Sequence, residues 1–480
     1  MPDQSEQRIP LVDTTPKQPS VKFFETESKK IYPRKIQGFY QRLRRYTGIP
    51  LLLGFLLIPW LTIENRPAIF FDLSEQKFHI FWMSFWPQDG VLLAWLLMLA
   101  AFVLFAVTVL VGRIWCGFTC PQTVWTLIYI WIEDKIEGDR NQRMKLDKQA
   151  WSLKKFAKRF AKHSLWLLVA LITGLTFIGY FYEIKPLIVD LFTFNQAAES
   201  LAEAYFWVSL FTVLTYLNAG FLREQVCKHM CPYARFQSVM YDEDTLLVSY
   251  DVARGEPRTK KKQKDPFAQA QGDCVDCSWC VQVCPVDIDI RDGLQYECID
   301  CGLCIDACDQ VMEKIGKPKG LIRFTSERAL EESTKDSSGK VRFLRPRMIG
   351  YSAAVILMIG LFANTLITRP AVTVDIIKER TGQLYSERRG YIENIYLIKI
   401  NNMSKSDDTY LITATGKNDY LIDGDNKLSV ASGETFSMQL TLKANADKIM
   451  ASRDTVEVKI SSIKDPDIEY VSESSFIAPR

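Results

Sequence analysis

Two cysteine runs decide the architecture of this chain: Cys274-Val-Asp-Cys277-Ser-Trp-Cys280-Val-Gln-Val-Cys284-Pro285 and Cys298-Ile-Asp-Cys301-Gly-Leu-Cys304-Ile-Asp-Ala-Cys308. Each run has the spacing C-x2-C-x2-C-x3-C, which is typical of bacterial ferredoxins that bind 4Fe–4S clusters through cysteine thiolates. Zinc sites normally use two cysteine pairs, not eight cysteines in this rhythm. Asp309 stands where the second run would carry a proline, yet both sets of four ligands remain complete. The runs predict a ferredoxin domain at about residues 265–315.

The runs also predict which cysteines share a cluster. In two-cluster ferredoxins, the fourth cysteine of each run binds the cluster of the other run. We therefore expect two 4Fe–4S clusters, each with three ligands from one run and one ligand from the other. The expected ligands are Cys274, Cys277, Cys280 and Cys308 for the first cluster, and Cys284, Cys298, Cys301 and Cys304 for the second.

A second cysteine pattern occurs twice upstream of these runs. Cys116 and Cys120 form a C-x3-C-P motif, and Cys227 and Cys231 form another. Residues four apart share one face of a helix, so each pair could present two sulfurs to one ion. Soft thiolates select Cu(I), zinc or the iron of iron–sulfur clusters. These four cysteines are therefore candidate copper ligands.

The neighbours of the two pairs bear on their chemistry. Cations favour the thiolate form of a cysteine, and three of them lie close in the sequence: Arg113, Lys228 and Arg235. His229 and Met230 stand inside the second motif and are weaker candidates for extra ligands. The alternative is that all four cysteines are buried and inert. The repeat of the motif at two equivalent positions favours a metal site.

Long apolar stretches predict a membrane protein. A spanning helix needs about 20 apolar residues, and four windows meet that requirement: Val91–Val111, Leu165–Tyr182, Tyr205–Leu222 and Ile349–Ile367. Ile49–Ile63 is shorter and contains Pro50 and Pro59, but Trp60 suits a membrane interface, and we count this window as a fifth span. Thr123–Ile132 is too short to cross and is predicted to be re-entrant or interfacial.

Loop charges predict the orientation of these spans, since Lys and Arg concentrate in cytoplasmic loops. The loops at 22–45, 64–90, 112–163 and 183–204 carry eight, two, eleven and one of these residues. Five spans with the N-terminus inside match this alternation and leave the C-terminal segment in the periplasm of a bacterial inner membrane. The net charge of +3 gives no case for a nucleic-acid partner.

The last segment, residues 371–480, has the pattern of an all-β domain. Apolar residues alternate at period two in the stretches 372–376, 396–400, 436–442 and 456–460, as in strands with one buried face. Asp423-Gly424 and Ser432-Gly433 are turn signals. The segment contains none of the 12 cysteines, which argues against a disulfide scaffold. This pattern predicts an immunoglobulin-like β-sandwich.

The predicted fold class is a multi-domain membrane protein with five transmembrane α-helices, a cytoplasmic bacterial-type ferredoxin domain and a C-terminal all-β immunoglobulin-like sandwich. Residues 1–45 form a cytoplasmic segment without the apolar core of a signal peptide. The remaining predicted boundaries are 46–222 for helices 1–4 with a basic loop at 112–163, 223–348 for the cytoplasmic insert, 349–367 for helix 5 and 371–480 for the periplasmic sandwich. A basic linker, Arg258–Lys264, precedes the cysteine runs.

The chain resembles a known family over nearly its whole length. The motifs that carry the resemblance are Lys30-Ile-Tyr-Pro-Arg34, Trp115-Cys-Gly-Phe-Thr-Cys-Pro-Gln-Thr-Val-Trp125, Cys227-Lys-His-Met-Cys-Pro-Tyr-Ala-Arg-Phe-Gln237, Gly293-Leu-Gln-Tyr-Glu-Cys-Ile-Asp-Cys301 and Gly320-Leu-Ile-Arg323. With these motifs and a trailing sandwich, it is similar to the CcoG/FixG/RdxA cytochrome c oxidase accessory proteins, which are membrane polyferredoxins of bacteria.

That resemblance implies a role in assembling a cbb(3)-type haem–copper oxidase. It further implies an electron-transfer oxidoreductase that reduces Cu(II) to Cu(I) for the oxidase copper site, with the membrane cysteine pairs as copper-site candidates. The expected partners are the lipid bilayer, subunits or assembly factors of the oxidase and an electron donor, with a homodimer as one option. We find no glycine-rich nucleotide loop and no flavin motif in the sequence, so electrons would come from a partner.

Two other functions remain open. An electron-relay subunit of a quinol-linked reductase complex, as in NapH-type membrane ferredoxins, would use the same clusters, but that type typically lacks the sandwich. A non-redox scaffold would keep the clusters for structure only. A physiological reduction potential together with turnover on Cu(II) would separate the three hypotheses.

Overall fold

The structure is a computed structural model that describes residues 30–63, 66–74, 76–193, 199–258, 272–335, 342, 344–370, 372–378, 384–404, 406–449, 451–465 and 468–479. The first 29 residues of the predicted N-terminal segment lie outside this part of the chain. The predicted basic linker also lies outside it, except for Arg258.

The first half of the described chain is mainly helical. Its helices are α1 (Phe39–Leu57), α2 (Gly90–Val111), α3 (Ile114–Phe118), α4 (Pro121–Ile136), α5 (Arg140–Lys148), α6 (Leu153–Ile178), α7 (Ile184–Thr193), α8 (Glu199–Leu217) and α9 (Pro232–Val239), with π-helical turns at Asn218–Leu222 and Val226–Met230. Short strands lie between α1 and α2: β1 (Thr62–Ile63), β2 (Arg66–Pro67), β3 (Ile69–Asp72), β4 (Lys77–Ile80) and β5 (Met83–Phe85).

Four helices among the described residues are long and apolar enough to cross a bilayer: α2, α6, α8 with its π-helical turn, and Pro346–Ile367. They overlap the four long windows that the sequence predicts. Helix α6 begins well before its apolar window because Ser152 caps it, with the hydroxyl oxygen accepting from the backbone N–H of Lys155 at 3.2 Å. Such a cap satisfies one of the free N–H groups at a helix start.

The predicted fifth span is not among these four candidates. Helix α1 ends at Leu57, and a 3₁₀ turn at Ile58–Trp60 follows it. Pro59 in that turn has no N–H group to continue an α-helix, and the first half of α1 carries arginines, so its apolar part is short. The predicted re-entrant window Thr123–Ile132 lies within α4, which is also not a candidate span. The count of five spans stays a prediction.

We expect the linker at 258–264 and the C-terminus to lie on opposite sides of the membrane, because Lys and Arg alternate between rich and poor loops. A reporter that works only in the cytoplasm should be active in the linker, and one that works only in the periplasm should be active after Arg480. Each reporter placed at the other position serves as its control. The same result at both positions would contradict an odd number of spans between them.

Close helix packing occurs where small residues face a neighbour. A Cβ atom on Gly174 of α6 would lie 2.7 Å from the hydroxyl oxygen of Thr212 and 2.9 Å from the carbonyl oxygen of Val208, both on α8. Glycine therefore lets the two backbones approach, as is common between membrane helices. Helix α2 packs instead against Pro346–Ile367.

The cysteine-rich region forms the second part of the fold. Its elements are β6 (Leu247–Tyr250), α10 (Val252–Gly255), α11 (Trp279–Val283), α12 (Leu303–Ile315), β7 (Ile322–Thr325) and α13 (Glu327–Lys335), and α14 (Pro346–Ile367) follows. Strands β6 and β7 pair in antiparallel fashion. Helices α11 and α12 each follow a residue in the left-handed region, Ser278 (φ 57°) and Gly302 (φ 70°), so the two runs repeat one loop-and-helix unit.

The C-terminal region forms the predicted sandwich of two sheets. Its strands are β8 (Val372–Lys378), β9 (Ser386–Arg388), β10 (Tyr391–Asn402), β11 (Asp408–Gly416), β12 (Leu421–Asp423), β13 (Lys427–Val430), β14 (Thr435–Asn445), β15 (Arg453–Ser462) and β16 (Glu469–Ile477). One sheet has the order β12-β14-β10-β8 with β9 beside β10, and the other has the order β13-β11-β15-β16. Alternating residues such as Ile398, Leu442 and Val458 are fully buried between the sheets.

Candidate functional site

The eight cysteines of the two runs line two neighbouring cavities. One cavity is lined by Cys274, Cys277, Cys280 and Cys308, which we call the first cysteine set, with Tyr250 and Met312. The other cavity is lined by Cys284, Cys298, Cys301 and Cys304, which we call the second cysteine set. Cys280 reaches this cavity as well. The fourth cysteine of each run thus lies with the first three of the other run. Crossover ligation requires this arrangement.

The two donor sets fit iron–sulfur cubanes better than single ions. Within the described ranges, no three His, Cys, Asp or Glu side chains are placed to hold one metal ion together. In a cubane each thiolate binds a different iron atom, so the four sulfurs stand farther apart than the ligands of one ion. The backbone N–H groups of Ile288, Val286 and Asp287 oppose the rise that burial causes in the pKa of Cys284. The ligand assignment itself stays a prediction.

Burial controls the protonation of three of these cysteines when no iron is bound. It raises the pKa of Cys280 and of Cys308 to about 12 and that of Cys284 to about 11. The thiols are therefore neutral at pH 7. Thiolate ligation to iron must displace their protons, so cluster assembly in this fold releases protons.

Helix α1 holds the ferredoxin fold against the membrane helices. The carboxylate of Asp306 on α12 accepts from the backbone N–H groups of Tyr40 at 3.2 Å and Gln41 at 2.9 Å. It therefore caps the start of α1, where no side chain of α1 itself does so. Just before α1, the guanidinium of Arg34 stacks over the ring of Trp279 with 3.8 Å to the ring centre.

Asp300 makes a second link, between the ferredoxin fold and the end of α2. Its side chain is 2% exposed and accepts from the backbone N–H groups of Arg113 at 2.9 Å and Val248 at 3.1 Å. Burial raises the pKa of Asp300 to about 6, and these two hydrogen bonds oppose the rise. Asp300 and Asp306 lie inside the second cysteine run, but spacing marks only the cysteines there, so sequence reasoning missed both.

Both C-x3-C-P motifs are split between two helices. Cys116 lies in α3 while Cys120 is the N-cap of α4. Cys227 lies in the π-helical turn Val226–Met230 while Cys231 is the N-cap of α9. The proline after each motif explains the break, because proline is favoured at the first position of a helix and disfavoured inside one. The expectation that each pair lies on one face of a continuous helix is therefore wrong.

The four thiols of these motifs nevertheless lie in one neighbourhood. Burial raises the pKa of Cys116 to about 12, and Cys120, Cys227 and Cys231 add to the rise. Burial likewise raises the pKa of Cys227 to about 11, again with contributions from Cys120 and Cys231. Arg113 lowers both values, as expected from its charge, but burial outweighs it. Cys116 and Cys227 are thus neutral until a cation binds.

The weaker ligand candidates of the second motif lie at the surface and not in the protein interior. His229 is exposed, and Met230 is 61% exposed. The buried neighbour of Cys116 is instead Gln237 of α9, whose side-chain oxygen accepts from the Cys116 thiol at 3.3 Å. The amide nitrogen of Gln237 donates to the hydroxyl of Thr108 on α2 at 3.3 Å.

Buried charges fix the segment before the second motif. Arg223 donates to Glu133 of α4 at 2.7 Å, and Glu133 also pairs with Arg143 of α5 at 2.9 Å. The side-chain nitrogen of Gln122 bonds to the carbonyl oxygens of Asn218 at 2.9 Å and Arg223 at 3.3 Å. Breaking a buried ion pair leaves an uncompensated charge and is strongly destabilising. The network therefore holds the two motifs together although α2 and α8 pack against different helices.

The first motif contacts the second cysteine set directly. Cys116 packs against an apolar cluster that includes Ile299, Cys301 and Leu303. A Cβ atom on Gly117 would lie 2.6 Å from the carbonyl oxygen of Ile299 and 2.9 Å from the Cα atom of Cys301. The backbone of a predicted cluster ligand and the backbone of the C-x3-C-P motif are thus in contact.

We expect the variant Gly117→Ala to weaken this contact. The added methyl group would meet backbone atoms, which cannot rotate away, and overpacking of this kind costs about 1–3 kcal/mol. The thermal unfolding midpoint of the cysteine-rich region should therefore fall. Gly54→Ala on α1 is the matched control, because nothing lies within 4 Å of its Cβ position. Equal midpoints for the two variants would contradict the contact.

The fold and the site define a class: a membrane protein with a two-cluster ferredoxin fold, paired membrane-proximal cysteines and a trailing β-sandwich. Family models match in the same places. Residues 222–327 match a 4Fe-4S dicluster domain, residues 92–137 match a 4Fe-4S binding domain, and residues 362–479 match the IG-like fold at the C-terminal of FixG.

The chain belongs to the FixG/RdxA family. It is 36% identical to Protein RdxB of Cereibacter sphaeroides, with 90% of this chain and 92% of that protein covered. It is 38% identical to the nitrogen fixation protein FixG of Rhizobium meliloti over 81% and 79% of the two chains. It is 37% identical to Protein RdxA of Cereibacter sphaeroides over 80% and 82%. This protein is therefore a FixG/RdxA-like 4Fe–4S membrane protein.

Proposed function

We propose that this protein carries single electrons from a cytoplasmic donor to copper at the membrane, where Cu(II) + e⁻ gives Cu(I) for the assembly of a cbb(3)-type cytochrome oxidase. The observation that carries the proposal is the contact between the first C-x3-C-P motif and the second cysteine set. Gly117 lies against the backbone of Cys301, a predicted cluster ligand. An electron held at that set is thus close to four thiols that suit a copper ion.

The order of the two cysteine sets supports a direction for the electron. Cys277 of the first set is exposed, so a donor protein can approach that set from solvent. The second set lies beside α1 and α3. Bound 4Fe–4S clusters supply one-electron transfer. In this proposal the donor meets the first set, and the electron leaves from the second set, which packs against Cys116.

The thiols near the membrane suit the product of the reaction. Cu(I) prefers soft sulfur ligands, whereas Cu(II) prefers nitrogen and oxygen. Thiolates around the ion therefore stabilise the reduced state and make reduction easier. Because burial keeps Cys116 and Cys227 protonated at neutral pH, copper binding there must release protons.

The cellular setting is part of the same proposal. The N-terminus and the ferredoxin fold lie in the cytoplasm, five helices cross the bacterial inner membrane, and the sandwich lies in the periplasm. The proposed partners are subunits or assembly factors of the oxidase and an electron donor. The alternation of Lys and Arg between successive loops supports this placement.

A third iron–sulfur centre at Cys116, Cys120, Cys227 and Cys231 is the second candidate. The family model for a 4Fe-4S binding domain covers residues 92–137 and so includes Cys116 and Cys120. Four cysteines are also the number that a cubane needs. In that case the protein would pass electrons to a partner protein, like a relay subunit of a quinol-linked reductase complex, and copper would not be its substrate.

The test is a Cu(II) reduction assay on the full-length protein, purified without oxygen, reduced with dithionite and then freed of it. We expect Cu(I), measured with a Cu(I)-specific chelator, to form as the cluster absorbance returns to that of the oxidised state, with about two Cu(I) per chain from two one-electron clusters. Oxidised protein is the control. Clusters that stay reduced in the presence of Cu(II) would overturn the proposal, and about twelve iron atoms per chain would identify the third centre.

A further inference from the structure

A buried arginine of α1 lies beside the second cysteine set. Arg44 is 2% exposed, and its Nε donates to the carbonyl oxygen of Gly117 at 2.8 Å. Its Nη1 has no hydrogen-bond partner among the described residues. A buried guanidinium with an unpaired donor is costly unless a negative charge lies nearby. No carboxylate among the described residues pairs with Arg44, so the site needs another anion.

The charges that act on Arg44 identify this anion. They are the sulfurs of Cys301 and Cys284, which belong to different cysteine runs but line the same cavity and become thiolates when they bind iron. Gly117, whose carbonyl oxygen accepts from Arg44, lies against the backbone of Cys301, because a Cβ atom on Gly117 would lie 2.9 Å from the Cα atom of Cys301. Arg44 and the second set thus face each other across the backbone of Gly117.

The first cysteine set has an arginine too, but its charge is already paired. Arg291 lies next to Cys280, and it forms ion pairs with Asp289 at 2.6 Å and with Asp276 at 2.8 Å. Two carboxylates offset its single positive charge. At the second set, Asp300 lies 3.6 Å from the sulfur of Cys298, but it accepts from the backbone N–H groups of Arg113 and Val248 and does not pair with Arg44. The arginines of the two sites are therefore unequally paired, although the two cysteine runs have the same spacing.

We propose that Arg44 is the counter-charge of the second iron–sulfur cluster and raises its reduction potential above that of the first. This inference rests on the 4Fe–4S assignment and not on copper reduction. Each electron that enters a cluster adds a negative charge, so a fixed cation nearby stabilises the reduced state more than the oxidised state. Arginine stays charged at any physiological pH. The inequality directs electrons from the exposed first set toward the membrane-facing second set.

The experiment is a potentiometric titration of both clusters in the full-length protein, followed by electron paramagnetic resonance. The variants are Arg44→Met, which removes the charge at similar length, and Arg44→Lys, which keeps it. Arg45→Met is the matched control, since Arg45 is the next residue and is exposed. Cys298→Ser identifies which signal belongs to the second cluster.

In Arg44→Met we expect the ratio of oxidised to reduced second cluster at a fixed potential to rise at least tenfold, which is a shift of about 59 mV to lower potential for one electron. The first cluster should not move, and Arg44→Lys and Arg45→Met should stay close to the unsubstituted protein. An unchanged second cluster in Arg44→Met, or an equal shift in Arg44→Lys, would overturn the proposal.

If Arg44→Met fails to retain the second cluster, Arg44→Gln supplies the neutral comparison. Loss of that cluster's iron in both neutral variants, with iron retained in Arg44→Lys, would support the same role, because uncompensated thiolates are costly to bury together. Loss of iron in Arg44→Lys as well would show that the shape of the side chain matters and not its charge, and would overturn the proposal.

Discussion

Serine at position 284 is expected to halve the iron content of the purified protein, from about eight to about four atoms per chain, because each cubane holds four irons and needs four thiolates. The remaining cluster should be the one assigned to Cys274, Cys277 and Cys280. By position in the sequence, Cys284 belongs with those three cysteines. In the structure it lines the other cavity, with Cys298, Cys301 and Cys304.

Double variants make this test decisive. If Cys284 and Cys298 serve one cluster, Cys284→Ser with Cys298→Ser should still leave about four iron atoms per chain. Cys284→Ser with Cys274→Ser should leave almost none, since each substitution then removes a different cluster. The opposite pattern would show that each run binds its own cluster. Circular dichroism of each full-length variant checks that the rest of the chain, including the sandwich, which contains no cysteine, is folded.

Replacing Cys116, Cys120, Cys227 and Cys231 together by serine is expected to abolish Cu(II) reduction and copper binding while the iron content stays at about eight atoms per chain. Serine keeps the size and polarity of the site but removes the soft sulfur that Cu(I) prefers. Copper content, iron content and Cu(I) formation should be measured in one preparation. The double variants C116S/C120S and C227S/C231S show whether both motifs contribute.

Three outcomes of that experiment have different meanings. Lost copper with unchanged iron supports a copper site at the two motifs. A fall of about four iron atoms per chain would instead identify a third cluster at these cysteines. Unchanged copper binding and reduction would mean that the four cysteines are structural, and copper chemistry would then have to lie elsewhere in the protein.

Much of the architecture follows from local sequence patterns. The four long apolar windows appear as helices because an uncharged stretch of that length can satisfy its backbone hydrogen bonds in a bilayer only by forming a helix. The alternating stretches after residue 371 appear as strands, with Ile398 and Val458 buried in the sandwich core. The window Ile49–Ile63 is not one continuous helix, because α1 ends at Leu57 and Pro59 lies in the turn that follows.

The cysteine spacing by itself predicted which eight cysteines line the two cavities, because cubane ligation imposes the C-x2-C-x2-C-x3-C rhythm on the local chain. Only the tertiary structure decided what stands beside them. Arg44, Gly117 and Asp306 lie far apart in the sequence, and no spacing rule links them. They meet because α12 caps α1 and α1 packs against α3. Burial and close packing are properties of the folded chain, so the position of the buried Arg44 beside the second set could be seen only there.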